Sequence, residues 1–243
     1  MTPHGAWNDA TGSHRARLVH MAGETPLPSH VANAAARAAL GDLVRVFPVT
    51  ERGRQFLVVH VFEEGSVFLP AEQNQAHAFR WSDVTMLIQS VTRVTSGNVP
   101  KYVRYQYLFV CGDGNQYRAD ARANILGNEQ CGLEDFGRIV NPLVTAVQLP
   151  AMRAALGRGE PVTFGPLAIE PDGIRKDRKK LLPWAEFEEL KITSGQGILM
   201  PNGDVVVRRR GKRLNWFRWE AAKIPNLGAL LALTDEVGGP ATA

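Results

Sequence analysis

Six histidines, two cysteines and two basic runs are the residues with which this chain of 243 could do chemistry. His4, His14, His20 and His30 stand in or beside an N-terminal stretch rich in turn formers, where no rigid geometry holds a catalytic group. Their spacing of ten, six and ten matches no zinc pattern, and Cys111 and Cys131 lack a CxxC partner. His60 and His77, on a strand and in a loop, read as structural or exposed. "GDGNQY" and "GQGILM" lack the third glycine and the strand-to-helix context of a dinucleotide loop. Glu63, Glu64, Glu186, Glu188 and Glu189 read as charge decoration. The expectation is a protein that is not an enzyme and uses no metal or cofactor.

The basic runs are sharper. "RKDRKK" carries Arg175, Lys176, Arg178, Lys179 and Lys180; "RRRGKR" carries Arg208, Arg209, Arg210, Lys212 and Arg213. Together they hold ten of the chain's 28 basic residues. Gly211 marks the second run as a hairpin tip, since glycine accepts the left-handed backbone of a turn. If adjacent in space, the runs form a phosphate-binding site for lipid headgroups or nucleic acid. If not, they are solvated loops that protect strand edges. In "LNWFRWEAA", Trp216 and Trp219 point to opposite faces of a strand, so one belongs to the core and the other is a candidate aromatic contact.

Composition sets the frame for these residues. Hydrophobic residues at 44% and charged residues at 21% are ordinary for a folded globular chain, and a net charge of +4 implies no nucleic-acid partner by itself. Two cysteines fit a reducing compartment. No window reaches the ~18 to 20 apolar residues of a membrane span. The N-terminus lacks the apolar core of a signal peptide, so the protein is expected in the cytoplasm, peripheral to the inner face of the membrane if it binds lipid.

Elements that could position the basic runs follow from periodicity. Residues 1–28 read as a flexible tail and 29–41 as a short helix, with Ser29 as N-cap and Gly41 closing it. In "FLVVHVF", Leu57, Val59 and Val61 share one strand face, and "EEG" turns the chain into "SVFL". "PLAIEPDGIRK" repeats that hairpin, with Gly173 expected at positive φ. "FRWSDV" around Trp81 matches "LPWAEF" around Trp184, each read as a strand. "KYVRYQYLFVC", "GDGN" and "QYRADARA" correspond in this reading to "GILM", "PNGD" and "VVVRRR". Leu133, Phe136, Ile139, Val140, Leu143, Val144 and Val147 share a helix face, which Pro150 is expected to end. Ile224, Leu227, Leu230, Leu231 and Thr234 repeat the rhythm after Asn226, the expected cap.

Gly65, Trp81, a glycine turn and a closing helix thus recur as Gly173, Trp184, a glycine turn and a closing helix. The order is kept while the loops vary, as in duplicated domains. The expected fold is mainly β (α+β), with two partly closed antiparallel sheets, each capped by a C-terminal helix. The domains are placed at 43–157 and 160–237, and Trp81, Trp184, Gly65 and Gly173 are structural. "VTFGPLAIEPDGIRK", "LPWAEF" and "KIPNLGALLAL", with "HVFEEGSV" and "FRWSDV" in the first half, resemble an uncharacterised bacterial family of tandem pleckstrin-homology-like (PH-like) proteins.

That resemblance covers roughly residues 40 to 237 and implies a fold, with no activity to carry over. Lipid-binding PH domains place basic residues in the turn joining their first two strands; here that turn is read as "EPDG", ahead of the first basic run. The expected function is non-catalytic binding or scaffolding, recognising a protein partner or an anionic membrane surface. The alternative is nucleic-acid binding through the basic runs.

Overall fold

The structure, a computed structural model, describes residues 27–72, 75–96, 99–125, 130–177, 180–193 and 203–238. The tail up to residue 26, Arg178, Lys179 and the segment "GILM" lie outside them. A helix, α1 (Ser29–Arg37), is followed by four strands, β1 (Leu43–Glu51), β2 (Arg54–Phe62), β3 (Gly65–Pro70) and β4 (His77–Arg80). They form one antiparallel sheet in that order. A 3-10 turn, Trp81–Asp83, then leads to β5 (Val84–Ser96), β6 (Val99–Cys111) and β7 (Gln116–Asn124), a three-stranded sheet with β6 in the middle. The helix α2 (Phe136–Gly157) closes the series.

The series then runs again. Strands β8 (Val162–Phe164), β9 (Leu167–Glu170), β10 (Gly173–Lys176) and β11 (Lys180–Pro183) form a four-stranded sheet. The turn Trp184–Glu186 leads to β12 (Phe187–Thr193), β13 (Asp204–Arg209) and β14 (Asn215–Glu220), which form a three-stranded one. The helix α3 (Leu227–Gly238) ends it. The fold is mainly β, as the alternating apolar pattern predicts.

Three apolar clusters hold these layers. The first joins Val59, Val61, Phe68, Phe79, Trp81 and Phe109 to Phe136, Val140 and Val144 of α2. The second joins Phe164, Ile169, Ile174, Val205, Val207 and Phe217 to Leu230 and Leu233 of α3. Leu149 of α2 belongs to this second cluster, so one helix serves both cores. The third is small: Val31, Ala34 and Ala35 of α1 cover Phe62 and Val67. Strand β2 is therefore buried on both faces, Leu57, Val59 and Val61 inward and Phe62 beneath α1.

Several sequence expectations need correction. Helix α2 does not end at Pro150; it runs unbroken through Pro142 and Pro150. A proline frees the carbonyl four residues before it, and Arg138 and Ala146 both lie on the exposed side, where water satisfies them. By length and composition α2 is also apolar enough to cross a membrane, against the expectation that no segment is. Helix α1 has Ser29 inside it and makes no side-chain cap bond; the left-handed residue that ends it is Ala39 (φ 51°), not Gly41.

Trp81 and Trp184 sit in 3-10 turns rather than strands, each turn closed by the N–H of the next strand's first residue, Val84 or Phe187, donating to the tryptophan carbonyl. Strand β13, "VVVRRR", pairs with both β12 and β14, which makes it the counterpart of β6 and not of "QYRADARA". The glycine turn equivalent to "GDGN" is therefore the one at Gly211.

Gly173 has no positive φ. A Cβ there would collide with the Leu182 carbonyl and lie 2.8 Å from the Leu182 carbonyl carbon. Gly65 has the same constraint, its Cβ colliding with the Phe79 carbonyl. Phe79 and Leu182 each stand two residues before the tryptophan, so the two glycines do the same steric job in both halves.

The halves are joined at Asn226, which has φ 51°. Its N–H donates to the Leu87 carbonyl at 2.8 Å, and its Oδ1 accepts from the Leu87 N–H at 2.7 Å. Its Nδ2 donates to the Thr85 carbonyl at 3.0 Å. Gln148 of α2 adds bonds to the Val84 carbonyl and to Asn226 Oδ1. Asn226 does flank α3, its carbonyl accepting from the Leu230 N–H, but its side chain is spent on β5 of the other half. Arg153 of α2 and Glu236, near the far end of α3, form a forked ion pair between the two helices.

Candidate anion-binding surface

The β10–β11 hairpin positions the first basic run. Lys176 pairs directly with Lys180, and Arg175 with Leu181. Ile174 is core, so Lys176, two residues on, leans inward; its Nζ lies 5.6 Å from the centre of the Phe217 ring. Arg175 faces the other way and grips Glu170 with two bonds of 2.5 and 2.7 Å. Those bonds hold the Glu170 carboxyl below the usual carboxylate range. The turn joining the first two strands of this half is Gly165–Pro166, since β8 precedes it; "EPDG" joins the second and third. Three residues of β8 are too few to show a period, which is why the sequence conceals it.

The second run lies along β13 and its turn into β14. Arg208 sits opposite Glu189, with Nη1–Oε1 at 3.2 Å and Glu188 Oε1 at 3.9 Å. Arg209 meets Glu186 at 2.7 Å. Glu189 is also held by Lys191 at 2.6 Å, and that bond, with the one from Arg208, lowers its carboxyl pKa. Of the acids read as decoration, Glu186, Glu188 and Glu189 are thus the partners of the second run. Such half-exposed pairs add little stability. Their effect is to cancel the charge of Arg208 and Arg209.

Beyond Arg209 the chain turns. The Arg210 N–H donates to the Glu186 carbonyl at 2.7 Å and the Lys212 N–H to the Arg209 carbonyl at 3.1 Å, with Gly211 at φ 69°. Arg210, Lys212 and Arg213 are exposed, and none has an ion pair among the described residues. The eight of the ten cations that are described therefore divide, Arg178 and Lys179 lying outside the described residues. Arg175, Arg208 and Arg209 are neutralised, Lys176 lies over an aromatic face, Lys180 is exposed opposite it, and the turn carries three free charges. No described contact joins the side chains of the two runs.

Neither tryptophan of β14 is the core residue. That is Phe217, and Trp219 stacks on it at 6.1 Å while remaining 40% exposed. Trp216 is half-buried against the second core. Of the structural pair, Trp81 is fully buried and its Nε1 donates to the Phe62 carbonyl. Trp184, less buried, donates to the Glu170 and Pro171 carbonyls, the equivalent turn.

Polar residues elsewhere are differently placed. A cleft in the first half is lined by Arg52, Arg54 and Arg122 but also by Glu51 and Glu72, so its charges largely offset. His60 is buried with Nδ1 unpartnered, and burial pushes its pKa down. Burial pushes the Cys111 thiol up to about 11 and the Cys131 thiol up to about 12, and both are free. Among the described residues no group of three or more His, Cys, Asp or Glu side chains is disposed to hold a metal.

No curated protein and no solved structure matches the chain. A family model matches residues 33–239, a span that takes in the second half of α1, both four-stranded sheets, both three-stranded sheets and the joint at Asn226. The chain therefore belongs to the family of unknown function DUF6585.

Proposed function

We propose that this protein is a non-catalytic binding module made of two PH-like units, residues 43–157 and 160–237, and that the second unit docks on an anionic partner through its Arg210–Leu214 turn. The reading of the units is supported by the double occurrence of one series: four strands, a tryptophan turn, three strands, a closing helix. Matching glycines, Gly65 and Gly173, press on matching carbonyls.

The observation that carries the docking site is charge accounting. The carboxylates nearest the turn, Glu186, Glu188 and Glu189, are taken by Arg208 and Arg209. Arg210, Lys212 and Arg213 are left to repel one another, and a polyanion relieves that repulsion. This reading puts the protein in the cytoplasm, peripheral to the inner face of a membrane or on an acidic protein.

The test is binding to anionic vesicles, and separately to duplex and single-stranded nucleic acid, across a salt series. Each cation near an anionic surface contributes about 1 kcal/mol, so Arg210, Lys212 and Arg213 replaced together by Ala should lose roughly two orders of magnitude in affinity. Binding should fall as salt rises past ~0.15 M, where screening acts over ~8 Å. Replacing Arg208 and Arg209 together with their partners Glu189 and Glu186 by Gln, which leaves the local net charge unchanged, should matter far less. Equal loss from both variants, or no binding to any polyanion at low salt, removes the site.

A further inference from the structure

The turn that carries the free cations also carries the most exposed large apolar side chain among the described residues. Leu214 is 84% exposed, against 52% for Val99, which comes next. Single exposed apolar residues are common on protein surfaces and mean little alone. Leu214 differs in its placement. It is the last residue of the turn, directly before β14, with Arg213 and Lys212 immediately ahead of it and Arg210 at the other end. The turn is braced at its base by the Arg210 N–H on Glu186 and the Lys212 N–H on Arg209.

A leucine beside unpaired cations gains nothing from a nucleic-acid backbone. It has no flat face to stack on a base, and stacking is how exposed side chains add to single-strand binding. A phospholipid bilayer satisfies both chemistries at once, because phosphates lie at the surface and hydrocarbon lies just beneath them.

We propose that Leu214 is the apolar tip of a lipid-docking turn: it enters the headgroup–acyl boundary of an anionic bilayer while Arg210, Lys212 and Arg213 take headgroup phosphates. This rests on the reading that the turn is the docking site and names the partner. Trp219, on the same hairpin, is a half-exposed aromatic at the strand end farther from the tip, so insertion is confined to Leu214.

Full-length protein carrying Leu214→Cys, labelled with an environment-sensitive fluorophore, provides the test. Cys111 and Cys131 are buried and their thiols are raised in pKa, so labelling is confined to position 214. Vesicles of phosphatidylcholine alone and of phosphatidylcholine with phosphatidylserine are the probes. The expected result is brighter, blue-shifted emission with the anionic vesicles only. Unlabelled Leu214→Ser should bind those vesicles roughly tenfold more weakly than wild type, with unchanged thermal unfolding.

If the wild type binds anionic vesicles while the label stays in water and Leu214→Ser binds equally well, the insertion is refuted and the electrostatic site stands. If the wild type binds nucleic acid and no vesicle, the bilayer is the wrong partner. Binding to neither overturns this proposal and the docking site together.

Discussion

Replacing Asn226 with Ala removes the polar joint between the two halves, and its cost can be worked from the bonds. The Leu87 N–H, now 2.7 Å from Oδ1, loses its acceptor on a buried residue. An unsatisfied buried donor costs about 1–3 kcal/mol. The Thr85 carbonyl loses a 3.0 Å bond but is exposed, so water replaces the donor at little cost. Asn226 also stands at φ 51°, a conformation that asparagine visits readily and alanine does not, which adds about 1 kcal/mol. The backbone bond from the Asn226 N–H to Leu87 survives. The total is about 2–4 kcal/mol, or a fall of roughly 5–12 °C in Tm for a chain of this size.

Asn226→Gly separates the terms, because glycine loses the side-chain bonds but keeps the backbone conformation at no strain. It should be less destabilising than Ala by about 1 kcal/mol. Asn226→Asp keeps an acceptor for Leu87 and should be milder in the same assay. Urea unfolding followed by circular dichroism measures all three, and Asn226→Ala should also broaden the transition as the two cores begin to melt separately. The reasoning is refuted if Asn226→Ala costs under 1 kcal/mol and Gly and Ala behave alike.

Gly65→Ala and Gly173→Ala should each cost about 3 kcal/mol or more, since the added methyl meets backbone carbonyls that cannot move without parting two strands. Gly211→Ala, with open space around it and only a positive φ to bear, should cost about 1–2 kcal/mol; comparable losses in all three would contradict the steric account. His60 has a folded pKa below its unfolded value of ~6.5, so the unfolded chain binds the extra proton first. Stability is then complete above ~6.5 and declines as pH falls below it, and His60→Phe should flatten that part of the melting-temperature profile. Loss persisting unchanged in the variant would assign the titration elsewhere.

Much of the architecture is local and was therefore legible. The period-two run of β2, the apolar runs of β3 and β9, the turn at Gly211 and the apolar stripe of α2 from Phe136 to Val144 each follow from a few adjacent residues, although Leu133 lies ahead of the helix and Val147 on its exposed side. So does the likeness between the two tryptophan windows. What needed a partner distant in sequence was not. Nothing near "VVVRRR" says that it is flanked on both sides, and that fact moved the matching glycine turn from Gly203 to Gly211. Pro150 is a helix breaker on local grounds, yet both ends of α2 are fastened to cores and its freed carbonyl faces water.

The basic residues of the proposed docking surface divide in the same way. The sequence alone determined that ten cations cluster in two runs, because residue identity and spacing carry that information directly. Only the tertiary structure decided which of them remain charged toward solvent. Cross-strand register places Glu189 against Arg208, and the tryptophan turn brings Glu186 to Arg209, while among the described residues the exposed side chains of Arg210, Lys212 and Arg213 at the hairpin tip have no ion pair. Charge neutralisation is a property of distance between side chains, and distance across strands is set by non-local pairing that no local window contains.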